Sequence, residues 1–173
     1  MSPIFFLVLI GVFEFGLAFR DYLTLSSGTT AGARSASVSG DSNLADYQIL
    51  QAIKANTVAL NGSSTINDIV IFKATGPTST LANLGMSGCT ATATTTCNTY
   101  GASDLNRPST DFGCTPSSPD RYWCPTTRKD RLSGPPDFVG VYVNVTHTNP
   151  TGILGSTRSF TSQVVMRIEP TAL

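Results

Sequence analysis

The chain has 173 residues, with eleven basic and eleven acidic side chains that give a formal net charge of zero. Charged residues make up only 13% of it, so the sequence offers no basic surface for nucleic acid and no polybasic segment for anionic lipid. Beyond an N-terminal segment of about 25 residues, the remainder is long enough for one modest domain with a hydrophobic core.

An apolar segment, residues 3–19, opens the chain, and the carboxylate of Glu14 interrupts it. With the residues up to Leu25, a helix here has about the length needed to cross a ~30 Å hydrocarbon core. We therefore predict a transmembrane anchor helix over residues 1–25. Because a carboxylate is costly at the centre of a membrane helix, Glu14 is expected to face protein or the interface, as a helix-packing residue.

A secretory signal peptide is the alternative for this segment, since residues 31–33 (Ala-Gly-Ala) have the small-x-small form of a cleavage site. However, no basic stretch precedes the apolar run, and the run is longer than the apolar core of a usual signal peptide. These two features favour a retained helix.

Small residues dominate the next segment, residues 26–40, and recur every four positions at Gly28, Gly32, Ala36 and Gly40. On a helix they form one stripe, along which a second helix can approach closely. The segment is therefore either a helix extension with a packing seam or, because of its glycine content, a flexible linker. If the stripe joins neighbouring helices, Gly32→Leu should impair helix association and leave the rest of the protein folded.

Residues 41–173 are predicted to form a head of the α+β class. Its helix can be capped by Asp41, Ser42 or Asn43 and ends at the Asn-Gly pair 61–62. The apolar face of this helix comprises Ala45, Ile49, Ala52, Ile53 and Leu60. That spacing is typical of a helix that lies on a sheet.

Alternation of β-branched and polar residues predicts three strands in the head, at residues 66–75, 137–148 and 159–169. The last two are joined by the turn-rich residues 149–155, which predicts an antiparallel pair. We expect the second helix to pack on a small antiparallel sheet of three to four strands.

A long loop, residues 78–136, separates the first two strands and contains all four cysteines: Cys89, Cys97, Cys114 and Cys124. Their spacing includes no C-x-x-C pair and the chain has one histidine, so two disulfides in an oxidising compartment fit better than a zinc site. Three pairings are possible. Closure of short loops favours Cys89 with Cys97 and Cys114 with Cys124.

Aromatic and basic side chains concentrate at one place in this loop, at Arg121, Tyr122 and Trp123. Because these residue types dominate the energetics of protein interfaces, they are a candidate partner surface. The alternative is a Trp123 that packs on a disulfide beside solvated charges.

No catalytic motif is evident in the sequence. Ser42 lies in a Gly-x-Ser-x sequence, but a nucleophile elbow needs glycine at the position that Leu44 occupies. An exported enzyme would be indicated only if Asp111, Asp120 and His147 converged in one pocket. We therefore predict no enzyme activity, no catalytic, cofactor-binding or metal-binding residues, no cofactor, and no nucleic acid or small-molecule substrate as a partner.

Three stretches of the sequence carry a family resemblance. Residues 3–16 (PIFFLVLIGVFEFG) are followed by Gly-Ala-Arg at 32–34, and the chain closes with VVMRIEP at 164–170. Together they resemble TadE-like proteins of the actinobacterial type, the minor pseudopilins of tight-adherence (Flp-type) pilus systems. Members of that family usually have a basic stretch and a peptidase processing site before the proline. Here Met1 lies two residues before Pro3, which indicates a truncated start or an unprocessed protein.

The resemblance implies a non-enzymatic protein that crosses the cell membrane once, holds its C-terminal head outside the cytoplasm and assists assembly of a surface pilus for adhesion. Its implied partners are the membrane, other pilus or pseudopilin subunits and the pilus assembly machinery. The alternative function is a secreted or tethered, disulfide-stabilised binding module or adhesin, with the cysteine loop as its ligand surface.

Overall fold

A computed structural model describes residues 3–60, 62–84, 89, 96–130, 134–152 and 155–169, with side chains from Phe5 onward. In chain order the elements are α1 (Pro3–Ser39), α2 (Ala45–Thr57), β1 (Ser64–Ala74), β2 (Cys97–Tyr100), β3 (Phe138–Thr148) and β4 (Thr157–Arg167). Short 3-10 turns lie at Val58–Leu60, Ala102–Asn106, Ser109–Asp111 and Pro125–Thr127. The predicted α+β class, with a long N-terminal helix and a second helix, is confirmed.

The four strands form one antiparallel sheet in the order β2-β1-β3-β4. β3 pairs along its whole length with β4, and its pairing with β1 shifts by one residue between Ile66 and Asp68. The alternation predicted for β3 is confirmed. Its inward side chains are Val139, Val141, Val143 and Val145, all at most 1% exposed.

Both helices lie on one face of this sheet and bury its core. Leu25 of α1 packs in the same cluster as Ile49 and Ile53 of α2 and the inward valines of β3. Burial of a large aliphatic side chain contributes about 1.5–3 kcal/mol, so this layer contributes strongly to the stability of the head.

α1 extends well beyond the sheet. It has 37 residues, which correspond to a rod of about 55 Å at 1.5 Å per residue. Within the part of the chain that the structure describes, no helix is both long and apolar enough to cross a membrane. The prediction of a transmembrane helix is therefore not supported.

The opposite face of the sheet is covered in part by residues 76–84, which we call the cover segment. Its Leu81 and Leu84 pack on Val70 and Phe72 of β1. Gln163 of β4 holds the segment in place, because its side-chain oxygen accepts the backbone N–H of Leu81 at 2.9 Å and its amide donates to a backbone oxygen of the segment at 2.8 Å. The sheet is thus buried on both faces over part of its area.

The predicted cap of the second helix is wrong. The residue at the N-cap of α2 is Leu44, and no side chain caps the helix. The reason is the tight connection from α1: the N–H of Ser42 donates to the carbonyl of Ser39 at 2.7 Å, and the carbonyl of Ser42 accepts the N–H of Ala45 at 2.9 Å. Ser42 therefore lies within the turn and not at the helix end, and its hydroxyl accepts the N–H of Leu44 at 3.4 Å instead of capping α2.

Strand β2 lies inside the cysteine loop, where no strand was predicted. It has four residues and pairs with β1. The loop is held by two disulfides, Cys89–Cys97 and Cys114–Cys124, so the pairing favoured by short-loop closure is confirmed.

Candidate functional site on the N-terminal helix

The two halves of α1 have different surroundings. We call residues 5–19 the apolar half. Its large exposed side chains are Phe5, Phe6, Leu7, Val8, Leu9, Val12, Phe13, Phe15 and Phe19, each at least 53% exposed. Further along, Leu25, Ala33 and Ala36 are buried against the head. A contiguous exposed apolar surface of this kind marks a site of contact with another apolar surface.

Glu14 does not share the exposure of its neighbours. Its side chain is 1% exposed and lies against the connection between β3 and β4. Its Oε1 accepts the backbone N–H of Thr151 at 2.9 Å and also the Thr151 hydroxyl. The carboxylate therefore ties the apolar half of α1 to one end of the sheet.

A second buried carboxylate, Asp21, ties α1 to the sheet two turns further on. Its Oδ2 accepts the hydroxyls of Ser63 and Ser64, both at 2.6 Å, and lies 3.0 Å from Nδ1 of His147. Its Oδ1 accepts from Arg20 at 2.9 Å. We call Asp21, Ser63, Ser64 and His147 the junction cluster, because it joins α1, the start of β1 and the end of β3.

The junction cluster resembles a hydrolase triad in composition but not in arrangement. In a triad the serine and the acid bind opposite nitrogens of the imidazole. Here Ser64 and Asp21 both approach Nδ1 of His147, at 3.3 and 3.0 Å, and both the histidine and the aspartate are at most 1% exposed. The geometry therefore supports a structural role in fixing the direction of α1.

The small-residue segment is helical, and its stripe faces the head of the same chain. A Cβ at Gly28 would lie 2.5 Å from Cγ2 of Thr57, and one at Gly32 would lie 2.7 Å from Cγ1 of Ile53. At Gly40 the nearest atom is Cγ2 of Ile168, at 2.3 Å. These glycines let α1 approach α2 and the end of the sheet at distances that a side chain would prevent.

Ala36, the remaining member of the stripe, is fully buried in the same core. The Gly28, Gly32, Ala36 and Gly40 stripe is thus occupied within the chain. We therefore expect Gly32→Leu to destabilise the head, not to impair association between neighbouring helices.

A third polar group, which sequence reasoning missed, attaches the cysteine loop to α2. Asp46 is fully buried. Its Oδ2 accepts hydrogen bonds from the Asn98 amide at 2.7 Å and from the Tyr100 hydroxyl at 2.6 Å. Its Oδ1 accepts from the Arg128 guanidinium at 2.5 Å. Burial and the negative charge of Asp46 raise the pKa of Tyr100 well above its ordinary value. Tyr100 therefore stays protonated and donates to the carboxylate.

The predicted partner surface is divided by this arrangement. Trp123 is 3% exposed and packs beneath the guanidinium of Arg128, 4.2 Å from the ring centroid, so Trp123 lies in the core. Arg121 stacks at 4.2 Å over the ring of Tyr122 outside this core. Any contact surface at this position is therefore formed by Arg121 and Tyr122.

The three polar residues proposed as markers of an enzyme have separate partners. Asp120 accepts the N–H groups of Gly113 and Cys114 at 2.9 and 3.1 Å, and Asp111 lies 3.4 Å from Arg107. His147 belongs to the junction cluster. Asp111, Asp120 and His147 therefore do not converge, and among the described residues no three His, Cys, Asp or Glu side chains are placed to hold a metal ion.

Comparison with known proteins gives one result. Residues 1–34 match the sequence model of a family described as TadE-like protein. This segment is similar to TadE-like proteins. The match covers the apolar half of α1 and most of the remainder of α1. It confirms the resemblance seen at residues 3–16 and 32–34. No curated protein and no solved structure matches the chain significantly.

The TadE-like segment and the functional geometry coincide on α1. Glu14 and Asp21, the two carboxylates that bind the sheet, lie within the matched residues, whereas the sheet and the cysteine loop lie outside them. One signal could have indicated the junction cluster: position 147 continues the inward alternation of β3, so a histidine there requires a buried polar partner.

Proposed function

We propose that this chain is a non-enzymatic, minor pseudopilin-like protein that assists assembly of a tight-adherence (Flp-type) surface pilus. The observation that carries the proposal is the coincidence of the TadE-like segment with the exposed apolar half of α1. TadE-like proteins are a pilus-associated, non-enzymatic family. The part of the chain that identifies the family is thus the part that presents an apolar surface to partners.

The proposed partners are the cell membrane, other pilus or pseudopilin subunits and the assembly machinery. In this account the apolar half of α1 lies among other apolar helices at the membrane, and the head lies outside the cytoplasm, where its two disulfides are stable. Arg121 and Tyr122 are a second, smaller contact surface on the head.

Within this proposal the helix-packing residues keep α1 and the head in one fixed orientation. Glu14 and Asp21 bind the sheet from the middle of α1, and Gly32 permits close contact with α2. The apolar half is therefore presented to a neighbouring subunit in a fixed orientation relative to the head.

The test is to locate the native protein in the source organism by mass spectrometry of membrane, sheared-pilus and culture-medium fractions. We expect peptides from α1 in the membrane or sheared-pilus fraction, together with pilus components, and loss of piliation on deletion. A soluble form that begins near Arg34, in a strain that remains piliated after deletion, would contradict the proposal and support the secreted binding module.

A further inference from the structure

A groove on the outer face of the sheet, the face turned away from the helices, has one apolar wall and one polar wall. Its volume is about 380 Å³ and it lies between the cover segment and the strands. One wall is apolar, formed by Leu81 and Ala82 of the cover segment with Val70 and the ring of Tyr142. Asp68 and Thr99 form the polar part of the lining, and the disulfide-bonded Cys89 also borders the groove. The volume suits a ligand of one or two small rings.

The strand register places the polar groups side by side. Asp68 pairs with Asn144, and Val70 pairs with both Thr99 and Tyr142, so all of these side chains project from the same face. The side chains of Asp68 and Thr99 are exposed and that of Tyr142 is half-buried. A ligand in the groove can therefore reach each of them.

Beyond Asp68 the open face remains polar and uncharged. Asn144 accepts the hydroxyl of Ser159 at 2.9 Å, and Asn67 donates to the hydroxyl of Thr146 at 2.8 Å. These amides and hydroxyls can both donate and accept hydrogen bonds. They would accommodate a ligand whose polar groups are themselves hydroxyls.

The charge in the groove selects among ligands. Asp68 is the one charged side chain among the described residues that line it, and as a carboxylate it accepts hydrogen bonds and repels anions. Its charge also contributes, after burial, to raising the pKa of Tyr142, so the carboxylate and this ring act on each other. An anionic ligand is disfavoured, and a purely apolar ligand would desolvate Asp68 and leave it, among the described residues, only the weak donor contact of the Asn144 amide at 3.5 Å.

We infer that this groove is a binding site for a neutral saccharide. One pyranose face would lie on the apolar wall, against the Tyr142 ring, while hydroxyl groups at the ring edge donate to Asp68 and to the hydroxyl oxygen of Thr99. The Thr99 hydroxyl donates its own hydrogen to the carbonyl of Cys89 at 2.7 Å, so it can only accept from a ligand. The inference is independent of the TadE-like segment, since the described residues that line the groove include none from α1. It would give the head a ligand in addition to its proposed role in pilus assembly.

The experiment is saturation-transfer NMR on the full chain, kept in a detergent without a sugar headgroup. The probes are the methyl glycosides of glucose, galactose, mannose and N-acetylglucosamine, with glucuronate as the anionic counterpart of glucose. We expect saturation transfer to at least one neutral glycoside and a much weaker signal for glucuronate. Absence of transfer to every neutral glycoside, or an equal signal for glucuronate and glucoside, would overturn the inference.

Two matched pairs of variants locate the binding. Asp68→Asn should weaken the affinity for the bound glycoside about tenfold, because it removes a charge-assisted acceptor, while Asp111→Asn should leave it unchanged. Tyr142→Ala should abolish binding, and Tyr122→Ala should not. Because the Asp68 side chain is exposed, its variant retains the fold, which circular dichroism verifies. Equal binding by Asp68→Asn and the unmodified chain would place any sugar elsewhere and refute the site.

Discussion

Two buried carboxylates determine how α1 meets the sheet. Asp21 accepts from two serines, from His147 and from Arg20, and it joins residues separated by 126 positions in the chain. A carboxylate that is 1% exposed is stable only when such donors surround it. Removing one member of the junction cluster is therefore expected to destabilise the head, because the remaining buried groups lose a hydrogen-bond partner.

For this reason Asp21→Ala should lower the free energy of unfolding of the head by about 1–3 kcal/mol, since His147 and both serines lose their shared acceptor. The measurement is urea denaturation followed by circular dichroism. Asp111→Ala removes a carboxylate that is 39% exposed and should change the stability far less. Equal effects of the two substitutions would show that the junction cluster adds nothing beyond an exposed ion pair.

The Tyr100 hydroxyl makes stability sensitive to alkaline pH. Its pKa is raised in the folded protein, above the ordinary value of 10.0, by burial and by Asp46. Above pH 10 the unfolded chain releases this proton and the folded chain keeps it, so the free energy of unfolding falls by up to about 1.4 kcal/mol per pH unit. Tyr100→Phe should reduce this pH dependence of the free energy of unfolding by the contribution of one titrating proton. An unchanged slope in the variant would contradict the buried Tyr100–Asp46 hydrogen bond.

At the scale of the elements, α1 and α2 meet where glycine replaces a side chain. Gly32→Leu would place atoms within 2.7 Å of Ile53, and overpacking of this kind costs about 1–3 kcal/mol. Gly16→Leu is the matched control, because a Cβ there meets nothing within 4 Å. We expect thermal unfolding to show a lowered midpoint for the first variant only. If Gly32→Leu left the head as stable as in the unmodified chain, the result would instead support a stripe that packs between neighbouring molecules.

At the scale of the whole molecule, the sequence predicts those parts that follow from short-range periodicity. The alternation in β3 identified the inward valines, and the small-residue stripe at Gly32 identified a packing surface, although not its occupant. Strand β2 escaped prediction because four residues are too few to show a period. Ser42 does not cap α2, because it lies in the turn between the helices and its hydroxyl bonds to the N–H of Leu44.

The polar clusters could not be predicted for a different reason. The Asp46–Arg128 and Asp21–His147 pairs join residues 82 and 126 positions apart, and no local pattern relates them. The family resemblance likewise covers the N-terminal helix, while no curated protein and no solved structure significantly matches the head that buries these pairs. Tertiary structure alone brings them together.

In the proposed function, the apolar half of α1 is the surface through which the protein joins a pilus assembly. Val12→Glu tests it most directly, since Val12 is 68% exposed and a buried carboxylate at the centre of an apolar helix layer costs about 2.5–3.5 kcal/mol. Val58→Glu is the matched control, because Val58 is 60% exposed on the head. The measurement is recovery of each variant with pilus subunits from the source organism. We predict loss of recovery and of piliation for Val12→Glu and none for Val58→Glu; full recovery and piliation of Val12→Glu would contradict the account.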